Sequence, residues 1–251
     1  HWMVPCVWIC AIIYWIAISY LGEKPGNLLC MDFVCRGVPS PGLWENYVAY
    51  MQKRYGARMV GARFKHKTYG YHTSTMKVDF ENGKTYFGSG RIDPYMKAFV
   101  REMSSRPSCA HCSFKGIARP SDITMFDCYE YSRVTGKIDD DKGWSSLLIH
   151  SDLGESVFEE IKDSLLWSKE DVETLVGNNG VMVKNSAKPH ARRDEFYRLA
   201  ATLSIDKAMG KIEPIAGTDI AIEKSKGFLY RTGLIKVVRK MRKKNQVQIV
   251  E

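Results

Sequence analysis

The alternation of apolar and polar residues along the chain predicts several short strands. Apolar runs that end at glycine, proline or asparagine are typical of strands in a partly buried sheet. The strands predicted on this pattern cover residues 28–34, 58–64, 73–80, 84–87, 123–126 and 145–150. Asn82 and Gly83 separate the third strand from the fourth, and this residue pair is typical of a two-residue β-hairpin turn.

Apolar residues at helical spacing predict helices before, between and after these strands. They cover residues 5–20, 43–55, 94–103, 156–166, 192–203 and 219–244, the last with weak points at Gly227 and Gly233. Asp93 is the predicted N-cap of the third helix, and Pro94 is its first residue. The sequence therefore predicts an α/β (mixed α+β) fold class, with a mixed β-sheet, flanking helices and a C-terminal helical tail.

The composition is that of a globular protein whose charge is concentrated at one end. The chain has 251 residues, of which 45% are hydrophobic and 26% charged, and its formal net charge is +9. Residues 220–251 contain nine Lys or Arg and two Glu, so they carry +7 of this charge. The remaining residues are close to neutral, which argues against a nucleic-acid-binding face spread over the body of the protein.

Residues 2–21 are almost wholly apolar and carry no formal charge. Their number reaches the threshold for a transmembrane helix, so a membrane-anchored protein is one interpretation. A buried helix is the other, because the segment contains Pro5, Cys6 and Cys10. The chain starts at His1 and its only early methionine is Met3, so we expect a fragment. The segment has no clear basic start or cleavage site of a secretory signal.

Cysteines are the residues that point most directly to chemistry. Their number, seven, argues against a fully paired disulfide framework and for reduced thiols in the cytoplasm. Cys109 and Cys112 form a Cys-x-x-Cys motif, whose two sulfurs can face one metal ion or cluster. On this spacing alone, a redox pair, half a zinc site and a chance occurrence remain alternatives.

Several short motifs follow one another in an order that is more specific than any one of them. They are Pro5-Cys6, Cys35-Arg36-Gly37-Val38-Pro39-Ser40-Pro41, Trp44, Arg106-Pro107-Ser108-Cys109-x-x-Cys112 and Ser121-Asp122-Ile123-Thr124. Over residues 3–200, this series resembles the C-terminal domain of the coenzyme F420 hydrogenase/dehydrogenase beta-subunit family. The resemblance implies a partial flavin and iron–sulfur domain over residues 1–150 and its helical continuation over 151–219. The charge pattern adds a basic amphipathic tail over 220–251.

The resemblance also implies a ligand set for one 4Fe-4S cluster, which needs four thiolates. The implied ligands are Cys6, Cys35, Cys109 and Cys112. Cys10, one helical turn after Cys6, and Cys128, which follows a predicted strand, are alternative ligands.

Two further groups of residues are implied to bind a flavin, FAD. Arg63, Lys65 and Lys67 resemble a cationic family segment that would hold the flavin pyrophosphate or an anionic substrate; a solvated strand end is the alternative. Asp122 and Asp127 would accept from a ribityl hydroxyl or a ring N–H, or are a pair of turn-forming acids. The family's glycine before Asp127 is a phenylalanine here. Whether coenzyme F420 is the substrate stays open.

The resemblance predicts a partial oxidoreductase that moves electrons between a 4Fe-4S cluster and a flavin. Bacterial members of the family resemble accessory proteins of polysaccharide biosynthesis. The family's amino-terminal region is expected to lie outside this sequence, so an electron-donor protein or a ferredoxin-like domain is the expected partner. A non-catalytic accessory or scaffold module of the same fold is the alternative.

The tail, residues 220–251, has the pattern of a basic amphipathic helix. Leu234, Val237, Val238 and Met241 form an apolar stripe, and cations occupy much of the remaining surface. Such a helix suits an anionic membrane surface, which predicts a cytoplasmic protein peripheral to the inner membrane face. A helix that packs its stripe on the body, with a solvated basic face, is the alternative.

Overall fold

The computed structural model describes residues 26–178 and 181–234, together with residues 20, 22 and 237. The helix predicted over residues 5–20 lies outside the described residues except for its last position, and Cys6 and Cys10 also lie outside them. Among the helices of the described residues, none is long and apolar enough to cross a membrane.

The described residues form six strands and nine α-helices. The strands are β1 (Met31–Phe33), β2 (Met59–His66), β3 (Thr75–Phe80), β4 (Thr85–Ser89), β5 (Ile123–Cys128) and β6 (Trp144–Ile149). The helices are α1 (Pro41–Tyr55), α2 (Pro94–Val100), α3 (Tyr131–Thr135), α4 (Asp152–Ile161), α5 (Val172–Asn178), α6 (Val181–Lys184), α7 (Arg193–Ala200), α8 (Ile205–Ile212) and α9 (Gly217–Arg231). The predicted mixed α+β fold class is confirmed.

The chain divides into two compact units, each made of several segments. The first contains the described residues up to Arg36, then His111–Lys137 and Gly143–Ala187. The second contains Gly37–Ala110, Ile138–Lys142 and the described residues from Lys188 onward.

The first unit is built on a mixed sheet with the strand order β1-β5-β6. Strand β1 runs parallel to β5, and β6 runs antiparallel to β5 from Ile123↔Ile149 to Cys128↔Trp144. Helices α5 and α6 close one face of this sheet. Their side chains join those of β5 and β6 in a buried cluster of Phe126, Leu148, Leu175, Val176 and Val183.

The second unit contains an antiparallel sheet, β2-β3-β4, covered by helices. Strands β3 and β4 form the hairpin predicted at Asn82-Gly83, where the Gly83 amide donates to the Phe80 carbonyl oxygen at 3.0 Å. Its core joins Tyr47 and Met51 of α1 to Met76 and Val78 of β3. Helix α8 completes the core with Ile205, Ala208, Met209 and Ile212.

Several helices differ from their predicted bounds. Helix α4 begins at Asp152 rather than at residue 156, because the Ser151 hydroxyl accepts from the Gly154 amide and caps the first turn. The predicted helix over residues 219–244 is interrupted after Arg231, where Gly233 has a φ of +75°. This left-handed conformation favours glycine, which confirms one of the two predicted weak points.

Candidate cofactor site

In the second unit, two of the motif loops pair with each other around Cys109. The Arg106 amide donates to the Val38 carbonyl oxygen at 3.0 Å, and Pro39 and Ser105 form an antiparallel β-bridge. The Val38 amide donates in turn to the Cys109 sulfur at 3.4 Å. The thiol is therefore already held by a backbone donor, and the residue is only 7% exposed.

The glycine of the first motif loop is required by this close approach. A Cβ at Gly37 would lie 2.4 Å from the Ser105 hydroxyl oxygen and 3.7 Å from Cys109 Cβ. Cβ atoms essentially never approach another atom this closely, so a larger residue at this position would force the Ser105 side chain to move. The glycine of the Cys-x-Gly-Val-Pro-Ser pattern is thus explained by the packing of this loop against Ser105 and Cys109.

In the first unit, polar side chains hold the backbone at the other two described motif cysteines. The Cys112 amide donates to the Ser186 hydroxyl at 3.1 Å. The Lys115 ammonium donates to the carbonyl oxygens of Cys35, at 2.6 Å, and of Met182, at 2.7 Å. Sequence reasoning gave no role to Ser186 or Lys115, since a single serine or lysine in a loop carries no local signal.

The predicted ligand set stays a prediction. Cys35 and Cys112 belong to the first unit and Cys109 to the second, while Cys6 lies outside the described residues. Within the described part of the chain, no group of three or more His, Cys, Asp or Glu is placed to hold a metal ion. Of the alternative ligands, Cys10 is also outside, and Cys128 is buried at the end of β5.

The predicted flavin-binding cations lie at an irregular end of the edge strand β2. The register of β2 against β3 shifts between Arg63 and His66, and Lys65 there has a φ of 51°. Arg63, Lys65 and Lys67 are all exposed, and the Lys67 ammonium donates to the Lys142 carbonyl oxygen. Burial, and then the nearby cations Lys77 and Arg63, lower the pKa of His66, so its ring is neutral near pH 7.

The two predicted flavin-binding acids differ in what their oxygens already contact. Asp122 is 2% exposed; its Oδ2 accepts from the Cys30 amide at 2.7 Å and its Oδ1 from the Ser151 hydroxyl at 2.5 Å. This carboxylate ties the residues before β1 to the start of α4. Asp127 is half-buried and accepts from the Tyr129 hydroxyl at 2.9 Å. Their flavin contacts remain predictions.

Comparison with models of protein families assigns the chain to a family. The matching family model describes the carboxyl terminus of the coenzyme F420 hydrogenase/dehydrogenase beta subunit, and the match covers residues 19–174. The chain belongs to this family. No curated protein matches the chain significantly.

The match to the F420 hydrogenase/dehydrogenase beta-subunit family covers most of the motif residues but not all. Cys35, Cys109 and Cys112 fall within residues 19–174, and Cys6 precedes them. Helices α7, α8 and α9 lie beyond the matched residues, so the family match assigns nothing to that part of the second unit.

A buried polar network in the family's Ser-Asp-Ile-Thr region was not predicted. The Thr124 hydroxyl contacts Asp32 Oδ1 at 2.5 Å and His150 Nε2 at 2.9 Å, and Ser121 donates to the same Asp32 oxygen at 3.1 Å. Arg119 forms an ion pair with the other Asp32 oxygen. The sequence did contain a signal, since Asp32 is the one charged residue in the apolar run 28–34.

His150 enters this network as a neutral side chain. Its pKa is lowered, chiefly by burial and also by the Arg119 cation, although Asp32 acts in the opposite direction. Because Thr124 donates its one proton to Asp32, the neutral ring donates from Nε2 to the Thr124 oxygen. The network thereby fixes Ser121 and Thr124 of the family motif at the start of β5.

Proposed function

We propose that this chain is the cofactor-binding part of an oxidoreductase that moves electrons between a 4Fe-4S cluster and FAD. The proposed cluster ligands are Cys6, Cys35, Cys109 and Cys112. The observation that supports this most directly is the Val38 amide directed at the Cys109 sulfur at 3.4 Å. Hydrogen bonds to the sulfurs are one of the means by which proteins set the potential of iron–sulfur clusters.

The residues around the described cysteines suit this role. Thiolate is the ligand form of cysteine, and a backbone N–H stabilises negative charge on the sulfur without bringing in a competing proton donor. Lys115 fixes the backbone at Cys35, and Ser186 fixes it at Cys112. When bound, the cluster supplies one-electron steps and the flavin couples them to two-electron chemistry.

Arg63 and Lys65 are the proposed contacts of the FAD pyrophosphate, because both are exposed cations at the bulged end of β2. Lys67, Asp122 and Asp127 complete the proposed flavin set. The proposed partner is an electron-donor protein or a ferredoxin-like domain. Coenzyme F420 is not part of this proposal.

A non-catalytic accessory role in polysaccharide assembly is the second candidate. It is favoured by the phenylalanine that replaces the family's glycine before Asp127, and by the bonds that both Asp122 oxygens already accept within the protein.

The test is a cofactor analysis of the full-length protein purified without oxygen. We expect a brown protein with about four iron and four sulfide per chain. Alanine replacement of Cys35, Cys109 or Cys112 should lower the bound iron, because each change removes one of the four proposed thiolate ligands. Cys30→Ala is the matched control and should keep its iron, since Cys30 is outside the proposed set.

Flavin binding is measured on the same preparation by titration with FAD, whose fluorescence is quenched when it binds. Stoichiometric quenching that is weakened in an Arg63→Gln, Lys65→Gln variant supports the electron-transfer role. Iron-free, colourless protein that also fails to quench FAD would contradict it and leave the accessory role.

The tail supports a second proposal, that the protein is peripheral to an anionic membrane face in the cytoplasm. Helix α9 exposes Phe228 and Ile220, and most of the basic residues follow it. The variant for this test should lack residues 235–251 only. Removing α9 would also remove Glu223, a buried carboxylate that accepts from the Ser89 amide at 2.8 Å and its hydroxyl at 2.6 Å.

We expect the full chain to sediment with phosphatidylserine vesicles and the shortened chain to stay in solution. Each basic residue near such a surface contributes about 1 kcal/mol to the free energy of binding, so the shortened chain should bind much more weakly. High salt should weaken the binding of the full chain in the same way. Neutral phosphatidylcholine vesicles are the control. Equal sedimentation with both vesicle types would leave only the packing interpretation of the tail.

A further inference from the structure

The second unit contains a cavity of about 520 Å³ that neither the motifs nor the family match explains. It lies among α1, β4, the start of α2, α8 and α9, and two of these four helices, α8 and α9, are outside the matched residues. Aromatic and aliphatic side chains form most of its wall, including Tyr50, Tyr69, Tyr86 and Phe87. Its volume is within the range of small-molecule sites, about 300–1,000 Å³.

Asp206 supplies an unused acceptor in this wall. Its Oδ1 is buried, and no hydrogen-bond donor reaches it from the described residues. A buried carboxylate oxygen without a donor is uncommon in folded proteins and calls for an explanation. The carboxylate lies close enough to Tyr50 to contribute to raising the pKa of that phenol, which burial raises most, so Tyr50 stays protonated and is a second polar group of the wall.

Arg54 supplies unused donors on the same wall. Its guanidinium donates to the Tyr50 oxygen at 3.0 Å and lies 5.6 Å from the ring centre of Tyr86. Guanidinium carries five N–H donors, and in the described part of the chain this is its one hydrogen bond and it forms no ion pair. Arg54 and Asp206 line one cavity without pairing with each other.

Two other charged groups of the wall already have hydrogen-bond partners. Lys97 donates to the carbonyl oxygens of Glu213, at 3.1 Å, and of Pro214, at 3.3 Å. Both Glu223 oxygens accept from Ser89. Arg54 and Lys224 are both exposed cations of the wall, and only the guanidinium of Arg54 offers two parallel N–H donors. The groups left for a ligand are therefore these two cations and the Asp206 carboxylate, on walls that include aromatic side chains.

We propose that this cavity binds a small hydroxylated ring carboxylate, with its carboxylate on Arg54 and a ring hydroxyl donating to the Asp206 carboxylate. A planar guanidinium matches a carboxylate in bidentate geometry, and a carboxylate oxygen accepts a hydroxyl proton in a strong, charge-assisted bond. The tyrosine faces cover the apolar faces of the ring. The cavity belongs to the second unit alone, so this inference does not depend on the proposed cluster or flavin.

The test is isothermal titration of the full chain with two probes of this class, D-glucuronate and quinate. D-Glucose lacks the carboxylate, cyclohexanecarboxylate lacks the hydroxyls, and glucose 6-phosphate replaces the carboxylate by phosphate. We expect at least one probe of the class to bind about tenfold or more tightly than each comparison compound, because a missing partner leaves a charged group of the site unpaired.

Two variants and two matched controls locate the binding. Asp206→Ala and Arg54→Gln should each weaken binding of the better probe by about tenfold or more. Asp194→Ala and Arg58→Gln change exposed residues of the same unit and should leave binding unchanged. Circular dichroism and thermal melting of all four variants separate a lost contact from a lost fold.

Three outcomes would overturn this inference. They are the absence of binding by both probes to the wild-type chain, equal affinity in the two cavity variants and their controls, and tighter binding of glucose 6-phosphate than of either carboxylate. The last outcome would assign the site to a phosphate instead.

Discussion

Replacing Asp93 by alanine should destabilise the second unit by about 3–5 kcal/mol, because the change removes a helix cap and unpairs two buried phenols. Asp93 is fully buried; its Oδ1 accepts from the Met96 amide of α2 at 2.8 Å, and its Oδ2 from the Tyr47 hydroxyl at 2.8 Å. Tyr86 donates to the same carboxylate. The free energy of unfolding is measured by urea denaturation, with hydrogen exchange of the β3 and β4 amides to localise the loss.

Asp194→Ala is the matched control, since Asp194 is 91% exposed in the same unit. We expect it to change the free energy of unfolding by less than about 0.5 kcal/mol. An Asp93→Ala variant as stable as this control would show that the carboxylate and its three donors do not hold α2 in place.

The pH dependence of the wild type checks the same carboxylate independently. Burial is the main cause that raises the pKa of Asp93 from its ordinary 3.8 to about 6. The native state therefore binds more protons than the unfolded state between these two values, and the contribution of Asp93 to stability is lost as the pH rises through about 6. The destabilisation by Asp93→Ala should accordingly be larger at pH 4 than at pH 8.

Local signals made the second unit the more predictable one. Asp93 was predicted as a cap from its position before Pro94, and the Asn82-Gly83 hairpin from two adjacent residues. Helix α8 was not predicted, although Ile205, Ala208 and Ile212 lie at helical spacing and are all buried. Ser204 directly before it is also a preferred N-cap residue type, although in the structure it makes no side-chain cap hydrogen bond.

The candidate site depends on contacts between residues far apart in sequence, and such contacts have no local signal. The Val38 amide and the Cys109 sulfur are 71 residues apart, and Thr124 and Asp32 are 92 residues apart. The sequence could indicate that these residues matter through their motif order. It could not indicate that Asp122 binds the Cys30 amide and Ser151, or that Ser186 holds the Cys112 loop.

The second large effect is expected in the first unit, where Asp32→Ala should lower the free energy of unfolding by about 3–5 kcal/mol. The Arg119 side chain is only 7% exposed, and Asp32 is the acid with which it pairs. Asp32 also accepts from Ser121 and Thr124, so its loss leaves a buried cation and two hydroxyls short of an acceptor. Hydrogen exchange of the β5 and β6 amides reports the free energy of opening of this unit.

An exposed ion pair of the same unit provides the control for this charge effect. Glu130 pairs with Arg133, and their side chains are 42% and 69% exposed, so Glu130→Ala should cost less than about 1 kcal/mol. Replacing both partners, Asp32→Ala with Arg119→Met, should recover part of the loss, because the double change no longer leaves a charge buried without a partner. A double variant no more stable than Asp32→Ala alone would show that the lost acceptor for Ser121 and Thr124, and not the unpaired guanidinium, is what the first unit cannot tolerate.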